Sequence, residues 1–263
     1  MKILEGKTAI ITGATGTIGK QIAVNFLLLG MNVILTTSNL NRKALLADLS
    51  KSFDRNKIHI HSLDLTDDNS INDFVKSVKD KPINYLINNA GVFGKNVYKV
   101  NFLGTLKLAM ALTPILNKNE NSRVVFQTSM SYWYAKIDWQ KFQIERLRYK
   151  HTKRLLNLGV IALKKNFLLK YPNVNYVLAH PGCVISDILI KRKKFLKAFA
   201  KPFFHSAKTA SLPATNACFI KVPDNKLLGP KAFGVWGKPK LRNLDKKLFD
   251  ENNLIQLKEI LKV

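Results

Sequence analysis

The segment TAIITGATGTIG, residues 8–19, decides the fold of this chain. It opens with a short apolar run that predicts a buried strand, and a helical pattern follows from about Thr17. Glycines between strand and helix permit a tight turn, and the amino end of the helix offers unpaired N–H groups to a pyrophosphate. The segment therefore predicts a dinucleotide-binding turn, with a ligand-free helix cap as the alternative. The turn residues expected at the cofactor are Gly13, Thr15, Gly16, Thr17, Ile18 and Gly19.

Predicted strands and helices alternate along the chain after this turn. The strands are NVILTT, KIHIHSL, NYLIN, RVVFQTS and NVNYVLAH, and the helices span about 17–29, 41–52, 69–79, 97–116 and 145–171. Such alternation is typical of a parallel sheet with helices on both faces, the doubly wound α/β or Rossmann fold. We expect one domain over 1–263, with a helical lid at about 184–210 and a terminal helix.

Composition limits the class of protein. A chain of 263 residues with 46% apolar residues can bury a full core. Its two cysteines, Cys183 and Cys218, make no disulfide framework or metal-ligand spacing, so no metal site is expected. No secretory leader pattern is present, and the longest apolar run has only ten residues, FLLLGMNVIL. We expect a cytoplasmic protein, with or without peripheral contact with a membrane.

The end of the second predicted strand bears on the choice of cofactor. A carboxylate at this point binds the adenosine 2′-hydroxyl of NAD and repels the extra phosphate of NADP. The segment TTSNLNR offers none, because Ser38 is neutral and Arg42 follows it. We therefore expect NADP, with Ser38 and Arg42 near its adenosine. NAD stays compatible, since Arg42 can equally be an exposed helix residue.

The spacing Tyr-x-x-x-Lys occurs twice, as Tyr149 with Lys153 and as Tyr132 with Lys136. Residues four apart on a helix share one face, and the first pair lies in a strongly helical segment. Tyr132 follows the strand-end Ser129 too closely for a helix to return beside that strand. A phenol needs a nearby ammonium to release its proton near neutral pH, so Tyr149 with Lys153 is the predicted acid/base pair.

Seven segments in order resemble the short-chain dehydrogenase/reductase family over nearly the whole chain. They are the glycine turn, LDL (63–65), NNAG (88–91), VNFLG (100–104), Ser129, YKHTK (149–153) and HPGCVIS (180–186). The resemblance implies an NAD(P)-dependent oxidoreductase acting on CH–OH or C=O groups. It implies further cofactor contacts at Asp64, Leu65, Asn89, Ala90, Gly91, Lys153, Pro181, Gly182 and Val184. It also implies a catalytic group of Asn101, Ser129, Tyr149 and Lys153.

The resemblance assigns roles within this group. Ser129 would hydrogen-bond the substrate oxygen, as an oxyanion stabiliser does. Asn101 would anchor a water molecule that leads protons from Lys153 to solvent. The hydride belongs to the cofactor.

The segment from Ser129 to Asn157 is most similar to the branch of retinol dehydrogenases and protochlorophyllide reductases, through KIDW (136–139) and RLLN (154–157). That branch implies a lipophilic carbonyl or alcohol substrate. Aromatic residues such as Trp133 and Trp139 are either substrate surface or packing. Asn101 follows Gly91 by ten positions, a shorter loop than the family usually has.

A formal charge of +26 draws in anionic partners. The segment KRKKFLKAFAKPFF (191–204) resembles a basic amphipathic helix, so 190–204 is the lid, a contact with an anionic membrane, or both. No nucleic-acid module is present, and no specific nucleic acid is expected. A cofactor-binding regulator or membrane-surface protein on a catalytically silent fold is the alternative function. By resemblance, a homodimer would pair through the helices at 97–116 and 145–171.

Overall fold

The computed structural model describes residues 4–39, 48–167, 169–184, 206–232 and 236–261. In this part of the chain eight strands form one sheet: β1 (Thr8–Ile11), β2 (Asn32–Thr37), β3 (Ile58–Ser62), β4 (Tyr85–Asn88), β5 (Ser122–Gln127), β6 (Val174–Ala179), β7 (Lys226–Ala232) and β8 (Trp236–Asn243). Their order is β3-β2-β1-β4-β5-β6-β7-β8, with every neighbouring pair parallel except β7 and β8. The chain runs outward from β1 to β3 and then returns to β4 beside β1. This reversal is the switch point at which doubly wound folds bind ligands, and the predicted fold class is confirmed.

Helices connect the parallel strands. Those described are α1 (Thr17–Leu28), α2 (Leu49–Ser52), α3 (Asp68–Val78), α4 (Thr105–Leu116), α5 (Tyr149–Phe167), α6 (Ala207–Ala217) and α7 (Glu251–Leu261). A π-helical turn, Lys99–Gly104, leads directly into α4, and 3-10 turns lie at Arg55–Lys57, Met130–Tyr134, Ile144–Arg146 and Lys246–Phe249.

The apolar core has two layers, one on each face of the sheet. Successive strand residues point to opposite faces, so Ile10 packs on the side of α3, α4 and α5. Its neighbour Ile11 packs on the side of α1 and α6. Leu86 and Ile87 in β4 divide in the same way. Because both faces are covered, the central strands carry continuous apolar runs, the pattern from which they were predicted.

The helix that carries Tyr149 starts later than predicted. The expected range was 145–171, but α5 spans Tyr149–Phe167 and the residues before it form a separate 3-10 turn. The backbone N–H of Arg148 donates to Nδ1 of His151 at 3.0 Å. A side chain three residues into a helix that takes up an N–H at its start acts as a cap. Tyr149 is therefore the first residue of its helix.

The region after Val184 differs most from the prediction. Residues 185–205, which include most of the expected lid and all of the expected membrane contact at 190–204, lie outside the described residues. The terminal helix is confirmed as α7, but β7 and β8 were missed. Gly229 and Pro230 lie within β7, although both residue types usually interrupt strands. Among the described helices, none combines the length and apolar character needed to cross a bilayer.

α5 is covered on every side along most of its length. The twelve residues from Thr152 to Leu163 are all buried, which is more than three full turns. The sheet, the turn at Lys246–Phe249 and helix α7 all pack on α5. A homodimer through α5 stays a prediction, and the chain's own terminal segment already takes part of the helix surface that such a dimer would use.

Candidate active site

The glycine turn joins β1 to α1 in a conformation that excludes side chains. Gly13 has φ +62°, and a Cβ there would lie 2.8 Å from Cα of Ala90. A Cβ on Gly19 would lie 2.5 Å from the backbone oxygen of Gly13. Gly16 stands at the helix start without a side chain to cap it, so the first N–H groups of α1 are free to bind an anion.

A cavity of about 590 Å³ opens at the carboxyl ends of β1, β2 and β4. This size is in the range of small-molecule and cofactor sites. Its lining includes twelve of the predicted cofactor residues: Gly13, Thr15, Gly16, Thr17, Ile18, Gly19, Ser38, Asp64, Leu65, Asn89, Ala90 and Gly91. The switch point of the sheet and the glycine turn thus form one cleft.

The side chain of Asn89 ties two walls of this cleft together. Its Nδ2 donates to the backbone oxygens of Thr12 at 2.9 Å and Gly13 at 3.2 Å. In return, the Thr12 hydroxyl accepts from the backbone N–H groups of Asn89 and Ala90, each at 3.0 Å. The turn after β4 therefore holds the glycine turn after β1 in place.

The expected adenosine end lies where β2 and β3 finish. Ser38 is exposed and lines the cavity, and Asn39 beside it is neutral as well. The Asp64 carboxylate accepts from both the backbone N–H and the hydroxyl of Thr66, each at 2.8 Å, so its orientation is fixed. Arg42 lies outside the described residues.

Tyr149, Ser129 and Lys153 come together at the carboxyl end of β5. Ser129 follows the strand, and its side chain is hydrogen-bonded to that of Tyr149. Burial raises the pKa of Tyr149 to about 12, while the hydrogen bond with Ser129 acts in the opposite direction. The Ser129 oxygen also accepts from the Ser131 hydroxyl at 3.1 Å, which leaves its own proton for the phenol oxygen.

Lys153 projects from α5 one turn after Tyr149. Its ammonium group lies 5.5 Å from the centroid of the Tyr149 ring and donates to the backbone oxygen of Gln127 at 2.6 Å. The residue is only 3% exposed, and burial lowers the pKa of its ammonium to about 8. Lys153 is not part of the cavity lining described above, but it borders it, since a Cβ on Gly91 would lie 3.9 Å from its Nζ.

Asn101 lies in the π-helical turn before α4 and is almost fully buried. Its side chain binds the loop after the NNAG segment: Oδ1 accepts from the N–H of Val92 at 2.8 Å, and Nδ2 donates to the Val92 oxygen at 2.9 Å. Nδ2 also contacts the Thr152 hydroxyl at 3.3 Å. Asn101 thus links this loop to α5, and its expected role as a water anchor stays a prediction.

The rival tyrosine has a different environment. Tyr132 is completely buried in the turn after Ser129, and burial raises its pKa to about 12. Its ring packs against Trp133, at 5.5 Å between centroids. Lys136 is exposed beyond this turn. Tyr149 therefore lies beside Ser129 and a buried ammonium, whereas Tyr132 is a packed core residue.

The predicted nicotinamide-side residues follow β6, the strand next to β5. His180 accepts from the N–H of Gly182 at 3.0 Å, which shapes the turn that includes Pro181, and Val184 is buried just beyond it. These residues do not belong to the cavity lining in the described part of the chain.

Sequence reasoning missed two participants in this region. The backbone oxygen of Gln127 receives the Lys153 ammonium, and a backbone contact leaves no signal in the sequence. Phe93 stacks on Tyr149, with 4.0 Å between ring centroids. The sequence signal for Phe93 was the short loop between Gly91 and Asn101, which indicates that the entrance to the active site differs from that of the family.

Comparison with known proteins agrees with this geometry. The short chain dehydrogenase family model matches residues 7–141. Retinol dehydrogenase 11 of Mus musculus is 30% identical over 239 residues, covering 84% of this chain and 75% of that protein, which agrees with the predicted branch. A crystal structure of an uncharacterized protein from Mycobacterium paratuberculosis has a TM-score of 0.75 at 20% identity, over 99% of this chain and 95% of that one.

A second solved structure has the same fold. NADPH-bound carbonyl reductase from chicken fatty liver has a TM-score of 0.59 at 24% identity, over 70% of this chain and 82% of that one. The family model spans just over half of the sequence, and the retinol dehydrogenase relative extends the match to most of the rest. The chain belongs to the short-chain dehydrogenase/reductase family of oxidoreductases, which act on CH–OH or C=O groups.

Proposed function

We propose that this protein is an NADP(H)-preferring oxidoreductase that interconverts a carbonyl and an alcohol on a lipophilic small molecule, with Tyr149 as the acid/base. The observation that carries the proposal is the meeting of three groups. The Tyr149 hydroxyl is hydrogen-bonded to Ser129, and the buried ammonium of Lys153 lies 5.5 Å from the phenol ring. A neutral phenol held this way is suited to donate a proton to a carbonyl oxygen.

The residues of the cleft fit a nicotinamide dinucleotide. Side chains at Gly13 and Gly19 would collide with neighbouring backbone, so the turn keeps a concave surface of peptide groups. The amino end of α1 would bind the pyrophosphate, and Asp64 and Leu65 would lie at the adenine. The cofactor, when bound, supplies or accepts the hydride.

The protein's own groups would manage the proton. Ser129 donates toward the phenol oxygen, so the phenol proton can point to the substrate oxygen instead. The Lys153 ammonium favours the phenolate that forms when this proton leaves. Asn101 holds the loop at Val92 and thereby the wall of the cleft beside Lys153.

The preference for NADP(H) rests on the absence of a carboxylate at Ser38 and Asn39, where one would repel the 2′-phosphate. The carbonyl reductase of the same fold was solved with NADPH, which agrees with this choice. Arg42 is proposed to contact the phosphate.

A lipophilic substrate is supported by the retinol dehydrogenase relative and by apolar groups near Tyr149. We place the protein in the cytoplasm as one domain over 1–263, with the segment at about 184–210 as a lid that can also meet a membrane surface.

The test compares two single-atom deletions. NADPH oxidation is followed at the nicotinamide absorbance band with a panel of aldehydes and ketones. Tyr149→Phe should lower kcat by at least about 100-fold while NADPH still binds. Tyr132→Phe, in the rival spacing, should keep near-normal activity. Equal activity of Tyr149→Phe and the unaltered protein would refute the role of Tyr149. NADPH binding without turnover of any carbonyl would favour the catalytically silent alternative.

A further inference from the structure

The ring of Phe93 lies flat against the ring of Tyr149. The two centroids are 4.0 Å apart and the planes are inclined by 18°. At this separation aromatic rings are in direct contact, and no other group fits between them. One face of the phenol is therefore covered, while its hydroxyl, at the ring edge, meets Ser129.

The backbone beneath Phe93 is held in place by the buried Asn101. Both backbone polar groups of the preceding residue, Val92, its N–H and its carbonyl oxygen, are hydrogen-bonded to the Asn101 side chain. On the other side, Gly94 has φ +79°, a conformation that lets the chain turn away sharply. The position of the ring is thus set by this short loop.

Phe93 is also part of the cofactor cleft. It lines the same cavity as the glycine turn and remains 37% exposed. Lys153 borders the cleft through Gly91, on the other side of the same loop. Phe93 therefore lines the cavity and also contacts the acid/base residue Tyr149.

We propose that Phe93 is the specificity-determining residue of the active site, admitting slim, unbranched apolar carbonyl compounds to Tyr149 and excluding those branched next to the carbonyl. This inference rests on the proposed function. Because Phe93 covers one face of Tyr149, a substrate carbonyl at the hydroxyl would lie beside the Phe93 ring, and bulk next to the carbonyl carbon would collide with that ring. The exposed edge of Phe93 supplies apolar surface for the rest of a slim substrate.

A matched phenylalanine lies at the opposite end of the fold. Phe219 is 40% exposed and its ring lies 5.7 Å from that of Tyr85, the first residue of β4. Truncation of Phe219 removes a similarly exposed ring and an edge-to-face contact with a tyrosine. It does so at the amino ends of the strands, away from the cleft.

The experiment measures kcat/KM with NADPH for a straight-chain aldehyde and for an α-branched aldehyde of equal carbon number. Phe93→Ala should raise the ratio of kcat/KM for the branched aldehyde to kcat/KM for the straight-chain aldehyde by about tenfold. This value is at the lower end of the discrimination that apolar pockets achieve through shape. Phe219→Ala should leave this ratio as in the unaltered protein. Retention of the original ratio in an active Phe93→Ala protein would overturn the proposal.

A second measurement does not depend on turnover. Phenolate absorbance is titrated with alkali in the unaltered protein and in Phe93→Ala, and the matching Tyr149→Phe background is subtracted from each. In the described part of the chain, Ser129, Lys153 and Phe93 face the phenol, so removal of the Phe93 ring should admit water and lower the pKa of Tyr149 from about 12 toward its ordinary value. An unchanged pKa would overturn the covering role even if no carbonyl substrate is found. A lowered pKa without turnover would refute the proposed function alone.

Discussion

The ammonium group of Lys153 lies 5.5 Å from the centroid of the Tyr149 ring, with both residues on one face of α5. Burial acts on the two groups in opposite directions along the pH scale. It lowers the pKa of Lys153 to about 8 and raises the pKa of Tyr149 to about 12. At neutral pH the lysine is therefore charged and the phenol is protonated, as proton donation to a carbonyl requires.

Carbonyl reduction should lose rate above about pH 8. Below this pH, Lys153 is charged and stabilises the phenolate that forms, so kcat/KM should be level. Above it, the neutral amine gives no such stabilisation, while Tyr149 stays protonated up to about pH 12. The pH profile of NADPH-dependent aldehyde reduction should fall by about tenfold per unit on this limb.

Lys153→Arg provides the control for that assignment. Guanidinium stays charged throughout the accessible pH range, so the falling limb should move to higher pH even if the overall rate is lower. A limb that remains at the same pH in this variant would show that another group causes it.

Alanine substitutions at two glycines of the turn should affect protein stability and cofactor binding differently. In Gly19→Ala, the new Cβ would lie 2.5 Å from the Gly13 oxygen, and we expect the free energy of unfolding to fall by about 1–3 kcal/mol. In Gly16→Ala, the nearest atom is 3.4 Å away, so stability should be nearly kept. If the pyrophosphate rests against this turn, Gly16→Ala should still weaken NADPH binding. Thermal unfolding and NADPH titration of both variants check this, and full NADPH affinity in Gly16→Ala would contradict it.

Ser38→Asp should reverse the cofactor preference. A carboxylate at the end of β2 would repel the 2′-phosphate of NADPH and could accept the 2′-hydroxyl of NADH. We expect the ratio of NADH to NADPH affinity to rise by at least about tenfold. Ser38→Asn, of similar size without the charge, should shift the ratio much less. Equal shifts in the two variants would mean that space, not charge, governs the choice.

The parallel core could be predicted because its signals are local. Each central strand is a short apolar run, and the glycines between β1 and α1 fix the first turn. β7 and β8 could not be found this way. A Cβ on Gly229 would lie 2.5 Å from the His180 ring, so the close packing of His180 on β7 requires glycine at this position. Glycine usually weakens or ends a strand, and the sequence alone does not reveal the contact with His180. Pro230 and Pro239 pair directly across the two strands, and a proline in a sequence segment argues against a strand there.

The same distinction applies to the site. Tyr149 could be preferred over Tyr132 because helical spacing and chain order constrain which tyrosine returns to the strand end. The contact of Phe93 with Tyr149 depends on how the loop after Gly91 folds, and that loop is held by a side chain outside it, Asn101 in the π-helical turn. Residue types at fixed spacing identify the acid/base pair, but the shape of the mouth requires the tertiary structure.

An ion pair between buried Arg154 and partly buried Asp245 joins the acid/base helix to the terminal segment. Arg154, next to Lys153, donates to the Asp245 carboxylate at 2.8 Å, and the two side chains are 8% and 17% exposed. Burial is the largest single effect and would raise the pKa of Asp245, but the hydrogen bonds and positive charges of Arg154 and Lys247 together outweigh it, so the pKa lies below its ordinary value. Because the carboxylate is favoured in the folded state, its contribution to stability is present above the unfolded pKa, about 3.9, and is lost as pH falls through the lower folded pKa.

Arg154→Met should therefore be costly at neutral pH and much less so in acid. It leaves the partly buried Asp245 carboxylate without its arginine partner, and we expect a loss of about 2 kcal/mol in the free energy of unfolding at pH 7, between the values for exposed and buried pairs. Lys107→Met breaks the exposed pair with Asp68, whose side chains are 42% and 66% exposed, and should cost less than about 1 kcal/mol. Urea unfolding of both variants from pH 7 down to pH 3 distinguishes them, because the penalty for Arg154→Met should shrink as Asp245 takes up its proton. A pH-independent penalty would mean that lost packing of the arginine stem, and not the ion pair, holds the terminal segment on α5.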